Sequence, residues 1–125
     1  MKEIIQSIHP KWTKLIFDGR KTKELRKSKP RDITFPFKVY IYETKKGVGA
    51  VVGEYICKGI TTTNVPQVFQ DGSCVHLDEI IDYMGNGKIS GWDISNVKKY
   101  PKPILISKLG LTTAPQSWRY IDTQR

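Results

Sequence analysis

A chain of 125 residues with 38% apolar side chains, three Trp, six Tyr and four Phe can bury one core without disulfides or metal, and is too apolar for a disordered tail. Its net charge of +9 is unevenly spread: residues 1–31 hold ten Lys and Arg against Glu3, Asp18 and Glu24, whereas residues 32–125 hold eleven against nine acids. Such a basic stretch points to an anionic partner, nucleic acid before a membrane surface, or to solubility alone; no eighteen apolar residues run together to cross a bilayer, and the apolar run at the start is too short for a signal peptide.

In chain order, "EIIQSI" (3–8) has the composition of a short strand. His9-Pro10 punctuates it, and "PKWTKLIFDG" follows as a short helix with Pro10 at its start and Gly19 as its stop. Trp12, Leu15 and Ile16 share one face of that helix. The segment "TKELRKS" has only Leu25 to bury, so it lacks the apolar stripe of a helix and is coherent as a strand. On that strand Thr22, Glu24, Arg26 and Ser28 point one way and Lys21, Lys23, Leu25 and Lys27 the other, with Lys21 at the corner after Gly19. Glu24 and Arg26 then lie about 7 Å apart along the strand, able to orient each other or bracket a polar ligand.

"FKVYIYETK" (37–45) reads as a strand, with Val39 and Ile41 on its core face and Tyr40 and Tyr42 on the other. "GAVVGEYICKGITTT" (49–63) reads as a single strand, Gly53 marking a bulge or close backbone approach. "VHLDEIIDYMGNG" (75–87) predicts a helix with Leu77, Ile80, Ile81 and Met84 on one side and Gly85 or Gly87 as stop. "GWDISNVKKY" reads as irregular with one helical turn, "KPILISKL" (102–109) as a strand, "GLTTAPQS" as a loop and "WRYID" (118–122) as a last strand. Five or six strands that do not alternate with helices predict an α+β fold, a small curled β-barrel with two or three flanking helices, in one domain spanning 1–125.

Cys57 and Cys74 have no CxxC spacing, and His9 and His76 are isolated, so no metal site or cofactor is expected and both thiols read as reduced in a cytoplasmic protein. The chain has no phosphate-binding G-x-x-x-x-G-K-[ST] loop and no G-x-S-x-G elbow. Trp118 and Trp92 are the candidate stacking platforms for a base, while Trp12 reads as core.

"IHPKWTKLIFDGRKTKELRKSKPR" resembles the opening of ASCH domains, of the PUA-like superfamily, through a G-x-K-x-x-E-x-R motif on Gly19, Lys21, Glu24 and Arg26. The C-terminal part is similar too, with Lys102-Pro103-Ile104 and Ala114-Pro115-Gln116-Ser117-Trp118. The resemblance spans nearly the whole chain. It implies a PUA-like β-barrel with flanking helices, and a cleft between the 20–28 strand and the 114–118 loop that binds RNA or a modified nucleoside. Lys21, Glu24, Arg26, Tyr42, Ser117 and Trp118 are its expected ligand-binding residues. Its alternative implication is hydrolysis of an acetylated cytidine, or RNA cleavage, with Lys21 and Glu24 as catalytic residues. Glu24 stands where the acetylcytidine-hydrolysing members carry a Thr nucleophile, with Thr22 two residues earlier; Lys21, Tyr42 and Ser117 supply the residue types of the ribonuclease members.

Overall fold

Alternation of apolar residues against two separate cores organises this chain. The structure is a computed structural model that describes residues 2–44 and 46–122. Strand β1 (Lys2–Ile8) leads into helix α1 (Pro10–Phe17), and β2 (Lys23–Arg26) follows. Then come β3 (Phe37–Glu43), β4 (Ala50–Cys57), β5 (Ile60–Thr63), a 3-10 turn (Pro66–Phe69) and helix α2 (Leu77–Met84). The chain finishes with β6 (Ile89–Asp93), β7 (Ser95–Ile104), a second 3-10 turn (Ile106–Leu109) and β8 (Trp118–Asp122). Lys45, the expected end of the third strand, lies outside the described residues.

The strands form two sheets, ordered β7-β4-β3-β1-β8 and β2-β6-β5. Among the described residues only the β1–β3 pair is parallel; the other pairs are antiparallel. The fold class is α+β as expected, but the expected five or six strands are eight, and among the described residues they close no barrel. The main core lies between the sheets and joins Ile4, Ile8, Ile16, Val39, Ile41 and Tyr55 to Trp92. A second core on the far face of the larger sheet holds Ile5, Tyr40, Tyr42, Val51, Leu111 and Ile121. Both faces of β3 are therefore covered, and Tyr40 and Tyr42 own a core of their own opposite Val39 and Ile41.

Three segments differ from expectation, and in the first two the chain changes sheets. Residues 49–63 are two strands, because at Gly59 the chain leaves the larger sheet for the smaller, its carbonyl accepting from Asp93 N (3.0 Å) and Cys57 Sγ (3.3 Å). "GWDISNVKKY" is strand throughout except at Ile94, where β6 passes into β7; Gly, Asp and Asn there mark a crossing, not a loop. In "KPILISKL" the strand stops at Ile104 and a 3-10 turn ends at Gly110, whose φ is 80°.

Both helices form as their sequences direct. Pro10 opens α1, His9 Nδ1 accepts from Lys11 N (3.1 Å), and Gly19 follows the end with φ 81°. Ile16 and Thr13 are its fully buried residues, with Trp12 and Leu15 half-buried beside them. Helix α2 stops at Gly85 and buries Ile80 against Phe69 and Ile89, but Ile81, assigned to the same face, is 45% exposed. A three-stranded sheet is narrow, and from α2 Ile80 and Met84 pack into its cluster. Gly53 is a close approach, since a Cβ there would meet the Lys98 carbonyl and the Phe17 ring, and β4 shifts register beside it.

Candidate functional site

After α1 the chain folds back on the helix: Arg20 N and Lys21 N both donate to the Leu15 carbonyl, at 3.0 and 3.1 Å. This return sends the Lys21 side chain inward, 2% exposed, although a lysine is among the residues least often buried. Lys21 precedes β2 and so escapes the strand's alternation; it turns toward Glu24 instead of away from it. Its Nζ donates to the Ser73 carbonyl (2.5 Å), stands 3.5 Å from Glu24 Oε1 and lies 4.6 Å from the Trp12 ring centroid.

The 72–75 turn that supplies Ser73 is fastened to the start of β2. The Gly72 carbonyl accepts from Thr22 N (2.7 Å) and Lys23 N (3.0 Å), and Ser73 Oγ donates to Phe69 O (2.5 Å). Gly72 has φ 87° and Cys74 φ 61°, so the turn uses left-handed backbone on both sides of Ser73.

Glu24 is 4% exposed. Its Oε2 accepts from Arg26 Nε (3.0 Å) and Nη2 (2.6 Å). Arg26 also donates from Nη2 to Ser7 O (2.7 Å) and from Nη1 to Ser117 Oγ (3.1 Å) and Ser117 O (3.3 Å). These five bonds use the five N–H groups of a guanidinium, so Arg26 ties β1, β2 and the segment before β8 together and fixes the Glu24 carboxylate. Burial holds the Lys21 pKa below its ordinary value, with the neighbouring Glu24 carboxylate opposing that shift. Behind the trio Tyr55 donates to Gln6 Oε1 (2.7 Å), and burial raises its phenol well above the usual range.

Above Lys21 and Glu24 opens a cavity of about 290 Å³. Trp12 from α1 forms one wall, Leu25 and Arg26 from β2 join Lys21 and Glu24 in the floor, and Val75, Glu79, Ile80 and Tyr83 form the side toward α2. A groove of about 1000 Å³ beside Lys2, Arg31 and Phe35 is larger, but it lacks the pair of buried charged groups that meet at Lys21 and Glu24. Among the described residues no three His, Cys, Asp or Glu side chains group to hold a metal ion, and no helix is long and apolar enough to cross a membrane.

The motif residues Lys21, Glu24 and Arg26 thus come together, and Ser117 joins them only as a partner of Arg26. The wall opposite them is α2, and no residue of the 114–118 loop lines the cavity. Trp118 packs edge-on to Trp92 (5.7 Å) and Tyr120 (5.4 Å), and its Nε1 donates to Ser28 Oγ (2.9 Å). Trp92 is 0% exposed and Tyr42 is buried in the second core, so neither ring faces the cavity. Lys23 pairs with Asp93, and Lys27 Nζ sits 5.0 Å from the Tyr83 ring centroid. The aromatic rings that do line the cavity are Trp12 and Tyr83. Trp12, read as core, does pack half-buried against the main core and borders the cavity as well, while Tyr83 stands off the apolar ridge of α2.

This architecture is that of solved ASCH proteins from Zymomonas mobilis. One such crystal structure superposes with a TM-score of 0.81 at 23% identity, covering 96% of this chain and 87% of that one. A variant of that protein with a tyrosine replaced by phenylalanine gives 0.82 at 22% identity over 98% and 91% of the two chains. A variant with a serine replaced by alanine gives 0.77 at 22% identity over 96% and 88%. No protein-family model matches the sequence, and no curated protein matches it. The chain shares the fold of that ASCH protein.

Proposed function

We propose that this ASCH-fold chain binds RNA or a modified nucleoside by inserting one nucleoside into the cavity between α1, β2 and α2. The observation that carries this reading is the buried pair at the cavity floor: Lys21 Nζ, a donor, 3.5 Å from Glu24 Oε1, an acceptor, beneath the Trp12 ring. A base edge presents adjacent acceptors and amino donors, which such a pair can meet, and an aromatic wall can stack the base face. The cavity volume of about 290 Å³ lies at the lower edge of the ~300–1,000 Å³ of small-molecule sites, suiting one nucleoside. Arg26 serves this site by holding Glu24, since its own donors are committed. Binding of a short single-stranded RNA to wild type, Lys21→Met and Trp12→Leu tests the reading. Loss of affinity in both variants, with melting temperatures retained, supports it; unchanged affinity in folded Lys21→Met removes it.

A hydrolase reading is favoured by one specific observation: a buried lysine of lowered pKa beside an oriented carboxylate, a combination common at sites of proton transfer. Release of acetate from N4-acetylcytidine, or metal-independent RNA cleavage, that is lost in Lys21→Met and Glu24→Gln would establish it. No turnover of either substrate leaves binding as the function.

A further inference from the structure

Two exposed lysines rest on the two aromatic rings that line the cavity, one on each. Lys11 Nζ lies 4.7 Å from the Trp12 centroid on α1, and Lys27 Nζ lies 5.0 Å from the Tyr83 centroid, reaching from the end of β2 to α2. Both lysines are exposed, and an ammonium resting on an exposed ring is held weakly, so each can swing to a stronger anion.

We propose that Lys11 and Lys27 are phosphate subsites, and that the ligand of this cavity is an internal nucleotide of a single-stranded polynucleotide, not a free nucleoside. This inference rests on the reading of the cavity as a nucleoside site. A base seated over Lys21 and Glu24 directs its sugar to the mouth. There the chain leaves on either side through a phosphodiester, each carrying one negative charge. A cation on either wall matches that pair of exits, whereas a free nucleoside carries no charge for either lysine to meet. Other charged groups stand near: Glu79 lines the cavity, and Asp82 is exposed on the same helix. They repel a phosphodiester, so the backbone runs over the α1 and β2 side, and Glu79→Gln strengthens binding.

The test measures fluorescence-anisotropy binding of a labelled nine-nucleotide single-stranded RNA of random sequence across a salt series. Wild type is compared with Lys11→Gln/Lys27→Gln, with Lys21→Met, and with Lys98→Gln/Lys99→Gln on exposed β7 as an equal change of charge elsewhere. Each phosphate contact contributes about 0.7 to the slope of log K against log salt for single strands. The Lys11/Lys27 pair therefore lowers the slope by about 1.4, a loss of about 25-fold at 0.1 M salt if the lines meet near 1 M. The β7 pair leaves slope and affinity near wild type. An unchanged slope in the Lys11/Lys27 pair, with binding lost in Lys21→Met, overturns the phosphate subsites and leaves the cavity reading standing. Equal losses in the Lys11/Lys27 and β7 pairs overturn the proposal in favour of diffuse charge. Binding untouched by Lys21→Met, or no RNA binding at all, overturns the cavity reading and this inference with it.

Discussion

Arg26 reaches one oxygen of Glu24 twice, through Nε at 3.0 Å and Nη2 at 2.6 Å, and leaves the other oxygen facing Lys21. Both side chains are nearly out of water, at 12% and 6% exposure. Removing Arg26 leaves a buried carboxylate with only Lys21 beside it and frees the carbonyls of Ser7 and Ser117. Breaking a buried pair from one side costs about 3–5 kcal/mol. Arg26→Ala is therefore expected to lower the urea midpoint severely. Arg26→Ala/Glu24→Ala should recover part of that loss, with a coupling energy within the ~0.5–3 kcal/mol seen for contacting residues. Strictly additive single losses would show that the pair is not coupled.

The buried Lys21 makes stability depend on pH in a defined direction. Its folded pKa lies below 10.5, so between the two values the unfolded chain holds a proton that the folded chain has released. Stability contributed through this group rises as pH climbs through that window and levels off above 10.5. Tyr55, and Cys57 at about 11, act in the opposite sense, because burial raises acids that the unfolded chain ionises earlier. The difference between wild type and Lys21→Met isolates the lysine. Urea unfolding at stepped pH should show wild type gaining on the variant as pH rises. A difference that stays flat across the window would contradict the burial of Lys21.

The two thiols should separate cleanly by reactivity. Cys74 is exposed, whereas Cys57 is 0% exposed, has its thiol raised to about 11 and donates to the Gly59 carbonyl at 3.3 Å. A disulfide reagent at neutral pH should modify one thiol per folded chain, and two only in denaturant. Mass mapping should find the first label on Cys74. Rapid double labelling of the folded chain would refute the sheet crossing at residues 57–60.

Gly91 lies under the Phe69 ring, and a Cβ there would stand 2.7 Å from Cζ. Gly91→Ala must push that ring out of the cluster formed with Ile80 and Ile89. Overpacking of this kind costs about 1–3 kcal/mol. The loss should be reduced in Gly91→Ala/Phe69→Leu relative to the sum of the single changes. Because α2 packs on this cluster, RNA affinity should fall with stability, since α2 forms one side of the cavity.

Local signals in the sequence carried the individual elements and the motif. Pro10 and Gly19 bound α1, the alternation in 37–43 fixes β3, and the Gly-Lys-Glu-Arg spacing brings three charges together. What the sequence hid was tertiary. Gly59 and Ile94 are crossings between sheets, and residues that turn a chain look alike whether they end a strand or hand it to another sheet. Lys21 escapes the alternation of β2 because two hydrogen bonds to Leu15 hold the chain against α1 before the strand starts. Trp12 and Tyr83 border the cavity only because α2 docks opposite α1 over β2, a long-range packing that no local pattern encodes. Trp92 is enclosed instead in the main core, against Phe37 and Trp118, and Ser117 meets the site through Arg26.

The most direct measurement is a crystal structure of the protein with a bound single-stranded trinucleotide. The account predicts the central base inside the cavity beside Trp12, its edge at Lys21 Nζ and Glu24 Oε1, and its two phosphates near Lys11 and Lys27. A trinucleotide lying instead along the groove of Lys2, Arg31 and Phe35, with the cavity empty, would contradict it.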